Sequence, residues 1–194
     1  MDEQKQWQLF LSGDEQALSS IFRTYHDDLF NYGMKLAGNT EIVKDAIQEM
    51  FLKLWKNRKS LSETSKIKPY LLKALRRHIE DCLSIYNRYY FTDKPLLEFE
   101  VQISTEDFII NEQVTEENQK KVLEVLSKLS PRQREAIYLR FFENLEFENI
   151  ALVMDMNVQS VRNTLHRAMQ TLREMMILEA FILLIGERCL FPYS

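Results

Sequence analysis

Glycine and proline are scarce in this chain, four of each in 194 residues. A β-rich chain needs such residues at its many turns, so their scarcity argues against sandwiches and barrels. The two cysteines, Cys82 and Cys189, have no zinc-ligand spacing and make no disulfide framework, and they are expected to be ordinary thiols. The three histidines, His26, His78 and His166, are scattered. No glycine-rich phosphate loop, Ser/His/Asp arrangement or metal-ligand spacing occurs. These absences point away from an enzyme and from a metal or cofactor. The apolar stretch 175–185 is broken by Glu179 and is too short to span a bilayer. The N-terminus, Met1-Asp2-Glu3-Gln4-Lys5, lacks a signal peptide's apolar core, so a cytoplasmic protein is expected.

Net charge is −4, which at first speaks against nucleic acid, but the charge is segregated. Residues 92–117 hold Asp93, Glu98, Glu100, Glu106, Asp107, Glu112, Glu116 and Glu117 against Lys94 alone, a net −7 that leaves +3 for the rest. This stretch has no sustained apolar period and reads as an acidic linker over 91–117, with a short helix near 105–114. Elsewhere the apolar spacing is helical. Helices are predicted over 2–12, 15–36 and 41–58, with Thr40 capping the third. A polar loop at 59–67 precedes a fourth helix that ends near 88, with Pro69 at an early position. Leu18, Phe22, Tyr25, Leu29, Tyr32 and Leu36 form the expected core stripe of the second helix, and Val43, Ile47, Met50, Phe51 and Leu54 that of the third. The fold class expected is all-α, with two small helical domains. A bundle over 1–90 and a helix-turn-helix domain over 118–174 are joined by the linker, and an apolar helical tail follows at 175–194.

The helix-turn-helix carries the most information. Ser130 is a good N-cap, Pro131 sits where its missing N–H costs nothing, and Gln133 completes a capping box. Apolar positions follow to Phe141 and Phe142, and Asn144 tolerates a left-handed turn. A short helix over 147–154 leads to a sharp turn at Asp155, with Asn157 as N-cap of the next helix. In that helix Val161, Leu165, Ala168 and Leu172 form a stripe that must be buried. Opposite lie Gln159, Arg162, Asn163, His166, Gln170 and Arg173, and no acid occurs from Val158 to Arg173. Such a face suits phosphates and base edges in a DNA major groove.

Two further surfaces stand out. On the third helix, opposite the core stripe, Asp45, Gln48, Glu49 and Leu52 share a face with Trp55 at its border, a composition suited to docking on another protein. A solvated face with a half-buried Trp is the other reading. From Lys66 to Tyr90 six bases stand against Glu80 and Asp81, interleaved with Tyr70, Tyr86, Tyr89 and Tyr90. Bases with aromatic platforms suit single-stranded or melted DNA, and the small polar loop 60–65 suits a pocket for an extruded base. A bundle helix with surface lysines and core tyrosines would show the same composition.

Together the two halves resemble an extracytoplasmic-function (ECF) sigma factor, the small sigma-70 type with only regions 2 and 4, over roughly residues 9–173. Asp45-Ala46-Ile47-Gln48-Glu49-Met50-Phe51-Leu52-Lys53-Leu54-Trp55 resembles the family's polymerase-binding helix. Tyr70-Leu71-Leu72-Lys73-Ala74-Leu75-Arg76-Arg77 resembles its promoter-melting segment. Leu129-Ser130-Pro131-Arg132-Gln133-Arg134-Glu135 resembles the opening of region 4, and Val161-Arg162-Asn163-Thr164-Leu165-His166-Arg167-Ala168 its −35 recognition helix. The wording of that helix is most similar to Bacteroidetes members. Tyr70 stands where Trp is common, Arg77 where Asn is frequent, Asn149 for Glu, Asp155 for Gly and Thr164 for a base.

The resemblance implies promoter-directed transcription initiation with no catalysis by the chain itself and no cofactor or metal. Asp45, Gln48, Glu49, Leu52 and Trp55 would dock on core RNA polymerase. Ser62, Thr64, Lys66, Tyr70, Lys73, Arg76 and Arg77 would capture the melted −10 strand. Gln159, Ser160, Arg162, Asn163, His166, Arg167 and Arg173 would grip the −35 duplex. Promoter DNA, core polymerase and an anti-sigma factor are the partners it implies. The residues alone leave open a stand-alone helix-turn-helix regulator.

Overall fold

The computed structural model describes residues 2–90, 99 and 126–174, without the side chains of 86–90 and 174. The linker apart from Phe99, the helix expected near 105–114, the side chains of Tyr86, Tyr89 and Tyr90, and the tail 175–194 with Cys189 lie outside the described residues. Every regular element among the described residues is helical. The chain divides into two compact units, Met1–Glu98 and Phe99–Ser194.

In the first unit α1 (Glu3–Ser12), α2 (Glu15–Ala37), α3 (Thr40–Asn57) and α4 (Ile67–Tyr90) follow in order, with a 3-10 turn at Arg58–Ser60. Local chemistry sets the boundaries. Gly13 ends α1 in the left-handed region, at φ 98°. The Asp14 carboxylate accepts from the Gln16 and Ala17 N–H groups and starts α2. At α3 the cap is Asn39, not the expected Thr40. Its side-chain oxygen accepts from the Glu41 and Ile42 N–H groups at 3.0 and 3.1 Å, and Thr40 becomes the first helical residue. An amide oxygen one residue earlier reaches the free N–H groups that a threonine hydroxyl was expected to serve.

Helices α2, α3 and α4 pack against one another, and α1 lies on α2 and on the 58–60 turn. Their core holds Ile21, Leu29, Tyr32 and Leu36, then Val43, Ile47, Met50 and Leu54, then Leu71, Leu72, Leu75 and Ile79. The stripe expected on α3 is buried throughout. On α2 it is displaced: Ala17 and Ile21 are buried, Leu18 is half-buried, and Phe22 is 38% exposed with its ring against Phe51. Periodicity locates an apolar arc, and neighbouring helices decide which edge of it they cover. Cys82 is a half-buried free thiol, and burial first, then the Glu49 carboxylate, pushes its pKa up.

The second unit opens with helical residues 126–128, then α5 (Pro131–Ile137). The expected capping box is present. Ser130 Oγ accepts from the Gln133 N–H at 3.3 Å, and Gln133 Oε1 accepts from the Ser130 N–H at 2.9 Å. The α-helix does not run on to Phe142 as its apolar pattern suggests. Residues Tyr138–Phe142 form a π-helical turn closed by the Glu143 N–H to the Tyr138 carbonyl, and the chain leaves through Asn144 at φ 54°. Then come α6 (Phe147–Met154) and α7 (Val158–Glu174). Ile150, Val153, Val161, Leu165, Ala168 and Leu172 are buried with Ala136, Ile137 and Leu139 of the α5 segment. Phe99 joins this core, 1% exposed, its ring 5.7 Å from that of Tyr138.

Among the glycines of the first unit, the closest approach is at Gly33 of α2. A Cβ there would stand 2.7 Å from Val43 Cγ1. Alanine gains about 1 kcal/mol over glycine in helix propensity. Valine has little χ1 freedom to give way, and overpacking typically costs about 1–3 kcal/mol. Gly33→Ala should therefore lower stability by about 1 kcal/mol net, read as an earlier midpoint in urea unfolding; an unchanged midpoint would show that α2 and α3 separate freely.

Candidate nucleic-acid interface

The turn between α6 and α7 is built by two side chains. Asp155 adopts φ 53° and ψ 50°, and its N–H bonds the Ala151 carbonyl, ending α6. Two residues on, Asn157 Oδ1 accepts from the Ser160 N–H at 2.7 Å and starts α7. The short left-handed reversal sets α7 across α6, the arrangement of a helix-turn-helix.

With Val161, Leu165, Ala168 and Leu172 buried, the rest of α7 has a dictated direction. At 100° per residue, Gln159, Arg162, Asn163, His166 and Arg173 fall within an arc of about 100°. All five are exposed. Arg167 is exposed beside this arc, and half-buried Ser160 lies at its margin. Gln159 Nε2 donates to Asn163 Oδ1 at 3.1 Å, so the two amides present a joined polar edge. Arg162 lies over the Phe147 ring, 5.4 Å from its centroid, and Arg140 lies over the same ring at 5.1 Å. Arg140 is further held by the Leu145 carbonyl at 2.9 Å and by Glu146 at 3.6 Å. Sequence reasoning missed Arg140 and Phe147, because both precede the turn and share no period with α7.

In the first unit α4 presents a basic strip. Tyr70, Lys73 and Arg77 fall within about 60° of one another, with Lys66 at the N-terminal end. Lys66 and Arg77 are exposed, and Tyr70 and Lys73 are half-buried. Burial pushes the Tyr70 hydroxyl above the usual tyrosine range. Arg76 departs from this group. It lies further round the helix, near Leu72 and Ile79, with its side chain only 13% exposed and paired with Glu80. The four-residue spacing of Arg76 and Glu80 places them one turn apart, so the ion pair forms within the helix. The 61–66 loop runs alongside. Ser62 is exposed, and half-buried Thr64 has its Oγ1 accepting from the Lys66 N–H at 3.1 Å.

On α3, Asp45, Gln48 and Glu49 are exposed, and Leu52 is 61% exposed, among the largest apolar side chains left in solvent. Trp55 is half-buried, with the Arg58 guanidinium 4.2 Å from its ring centroid. Glu49 also faces α4. Its carboxylate is 3.2 Å from His78 Nε2 and 3.8 Å from Lys53 Nζ, and Lys53 Nζ is 3.1 Å from His78 Nδ1. The Glu49 carboxylate and the Lys53 ammonium thus stand at the two opposite nitrogens of the His78 ring. Among the described residues no group of three or more His, Cys, Asp or Glu side chains is placed to hold a metal ion. No helix among them is long and apolar enough to cross a membrane.

The geometry defines a helical DNA-binding protein with a helix-turn-helix in one unit and a basic, aromatic helix in the other. Comparison with known proteins narrows the class. Residues 21–85 match Sigma-70 region 2, and residues 119–172 match Sigma-70, region 4, together more than half of the chain. The ECF RNA polymerase sigma factor SigW of Bacillus subtilis (strain 168) is 23% identical over 172 residues, covering 84% of this chain and 90% of its own. The ECF RNA polymerase sigma factor SigX of the same organism is 21% identical over 167 residues, 84% of each chain. Among solved structures, CnrH in complex with the cytosolic domain of CnrY aligns with a TM-score of 0.63 at 15% identity, over 92% of this chain and 99% of that one. The sigma factor RpoE in complex with the anti-sigma factor NepR from Bartonella quintana gives 0.56 at 19%, over 84% and 95%. At these identities the two structures speak for the fold alone. The chain belongs to the sigma-70 family, as a sigma factor of the ECF type. It directs RNA polymerase to specific promoters.

The cap and the turn set the attitude of α7. Asn157→Ala should cost about 1 kcal/mol of stability. Asp155→Val, which forces a β-branched residue into the left-handed region, should cost about 1–2 kcal/mol. Thermal unfolding followed by circular dichroism reads both, and a neutral Asp155→Val would contradict the turn geometry.

Proposed function

We propose that three faces of this sigma factor divide the work of initiation, and that the observation carrying this reading is the acid-free exposed face of α7. Gln159, Asn163 and His166 read base edges of the −35 duplex in the major groove, and Arg162 reads or grips beside them. Ser160 supports the edge of this face, and Arg167 and Arg173 hold phosphates. Lys66, Tyr70, Lys73 and Arg77 take the melted −10 strand, phosphates on the bases and a nucleobase on the tyrosine ring. The Ser62 and Thr64 loop receives an extruded base. Arg76, paired with Glu80, serves this strip through the shape of α4 more than through its own charge. The third face is Asp45, Gln48, Glu49, Leu52 and Trp55, which docks on core RNA polymerase: an exposed leucine beside an arginine-covered tryptophan, rimmed by polar groups, has the make-up of a protein interface.

The reading assigns 1–90 to polymerase and −10 binding, 91–117 to an acidic linker, 118–174 to −35 binding, and 175–194 to an apolar tail. The chain works in the cytoplasm with core polymerase, promoter DNA and an anti-sigma factor as partners. The last is supported by the likeness in fold to RpoE, which is seen with its anti-sigma factor. It performs no catalysis and takes no cofactor. The wording of its recognition helix supports an affiliation with the Bacteroidetes members of the family.

In vitro transcription with core polymerase on genomic fragments, with start-site mapping, tests the whole reading. Asp45→Ala with Gln48→Ala should weaken polymerase binding in a pull-down, and unchanged retention would sink the docking assignment. Arg162→Ala should cut −35-dependent transcription about tenfold, the scale of one lost base contact. A loss independent of −35 sequence would make Arg162 a phosphate contact.

A further inference from the structure

The N-terminal helix α1 precedes the stretch that matches region 2, which begins at residue 21. It nevertheless touches both ends of the loop between α3 and α4. Trp7 is 1% exposed, and its indole Nε1–H donates to the Ser62 carbonyl at 3.1 Å. Its ring meets that of Tyr70 edge-on, with centroids 5.1 Å apart. One turn earlier on α1, the Glu3 carboxylate accepts from the Ile67 N–H at 3.1 Å and so caps α4 from 64 residues away in sequence. Glu3 also faces the Tyr25 hydroxyl of α2, whose pKa is raised by burial first and then by this carboxylate. The loop's own contribution is slight: the Thr64 turn to Lys66 is exposed. A loop of small polar residues would otherwise sample many conformations, and fixing each residue costs about 1–2 kcal/mol of entropy.

We propose that α1 is a positioning element for strand capture, with Trp7 and Glu3 holding the Ser62–Ile67 loop in the shape that receives a single unpaired base. The inference rests on the reading of that loop and of the α4 strip as the −10 site. Trp7 fixes the loop's first half through a carbonyl and the adjoining platform through Tyr70. Glu3 fixes its exit by capping α4, where a carboxylate also complements the helix dipole. The two contacts lie five residues apart along the loop and clamp its ends without occupying its tip. Trp7 and Glu3 touch no nucleic acid; they act through the pocket they shape. Base preference at one position of the strand therefore depends on α1, whereas general affinity for the strand depends on the bases of α4.

The experiment uses the full chain assembled with core RNA polymerase and a pool of single-stranded DNA with a short randomised window. Wild type should enrich one base at one position. Trp7→Phe keeps an aromatic ring, though a smaller one, and removes the N–H donor; Glu3→Ala removes the cap, and Glu3→Gln retains an acceptor. Trp7→Phe and Glu3→Ala should each flatten that preference about fivefold, the scale of one hydrogen bond, while total retained DNA stays at the wild-type level. Glu3→Gln should restore most of the preference. A general loss of structure would instead lower retention of every sequence. Lys73→Ala with Arg77→Ala should lower retention of all strands; if it does not, the −10 reading falls and this inference with it. If that pair does lower retention while Trp7→Phe and Glu3→Ala keep full base preference, the −10 reading stands and the role of α1 is overturned. Glu3 is half-exposed, so its pair of variants decides the matter even if Trp7→Phe folds poorly.

Discussion

Burying one apolar stripe per helix decides nearly everything else in this protein. A helix turns 100° per residue, so once Val161, Leu165, Ala168 and Leu172 are inside, Gln159, Asn163 and His166 have nowhere to go but out. The same constraint on α3, through Val43, Ile47, Met50 and Leu54, drives Asp45, Gln48 and Leu52 to the surface. The surfaces are by-products of the core, with the chemistry of each face set by which residues occupy the remaining positions. On α7 the remaining positions hold no acid between Val158 and Arg173, in a protein of −4 net charge.

Much of this was legible beforehand because the signals are local. The Ser130 and Gln133 capping box, the left-handed Asn144 and Asp155, and the Asn157 cap each depend on residues within a few positions of one another. So does the division into a bundle and a helix-turn-helix. What escaped detection is tertiary. Nothing near Glu3 announces that it caps a helix starting at Ile67, and nothing near Trp7 points to Ser62. Arg76 has the residue type of a DNA contact, yet its orientation depends on which side of α4 the bundle covers. The spacing predicts Phe22 inside, yet it lies at the edge of the core, half covered by Phe51. The π-helical turn at Tyr138–Phe142 keeps the apolar content of an α-helix while changing its path.

The bundle also links its faces. Glu49 stands on the α3 surface and meets His78 of α4 and Lys53 together. A change at any one of these three reaches the other two, so α3 and α4 are neighbours in energy as well as in space. Single surface pairs of this kind contribute only about 0–1 kcal/mol. Their weight here lies in orientation: a carboxylate held from two sides presents a narrower range of geometries to a partner.

Arg162 shows the opposite solution to the same problem. Its guanidinium is oriented by the flat face of Phe147, with Arg140 on that ring as well. A carboxylate would have oriented it equally well while neutralising it, as Glu80 does for Arg76. An incoming phosphate or guanine would then have to displace an anion first. An aromatic ring supplies direction through its quadrupole and leaves the full positive charge on offer. Among the described residues, Arg162 is thus aimed in advance by a ring and faces no carboxylate that an incoming anion would have to evict.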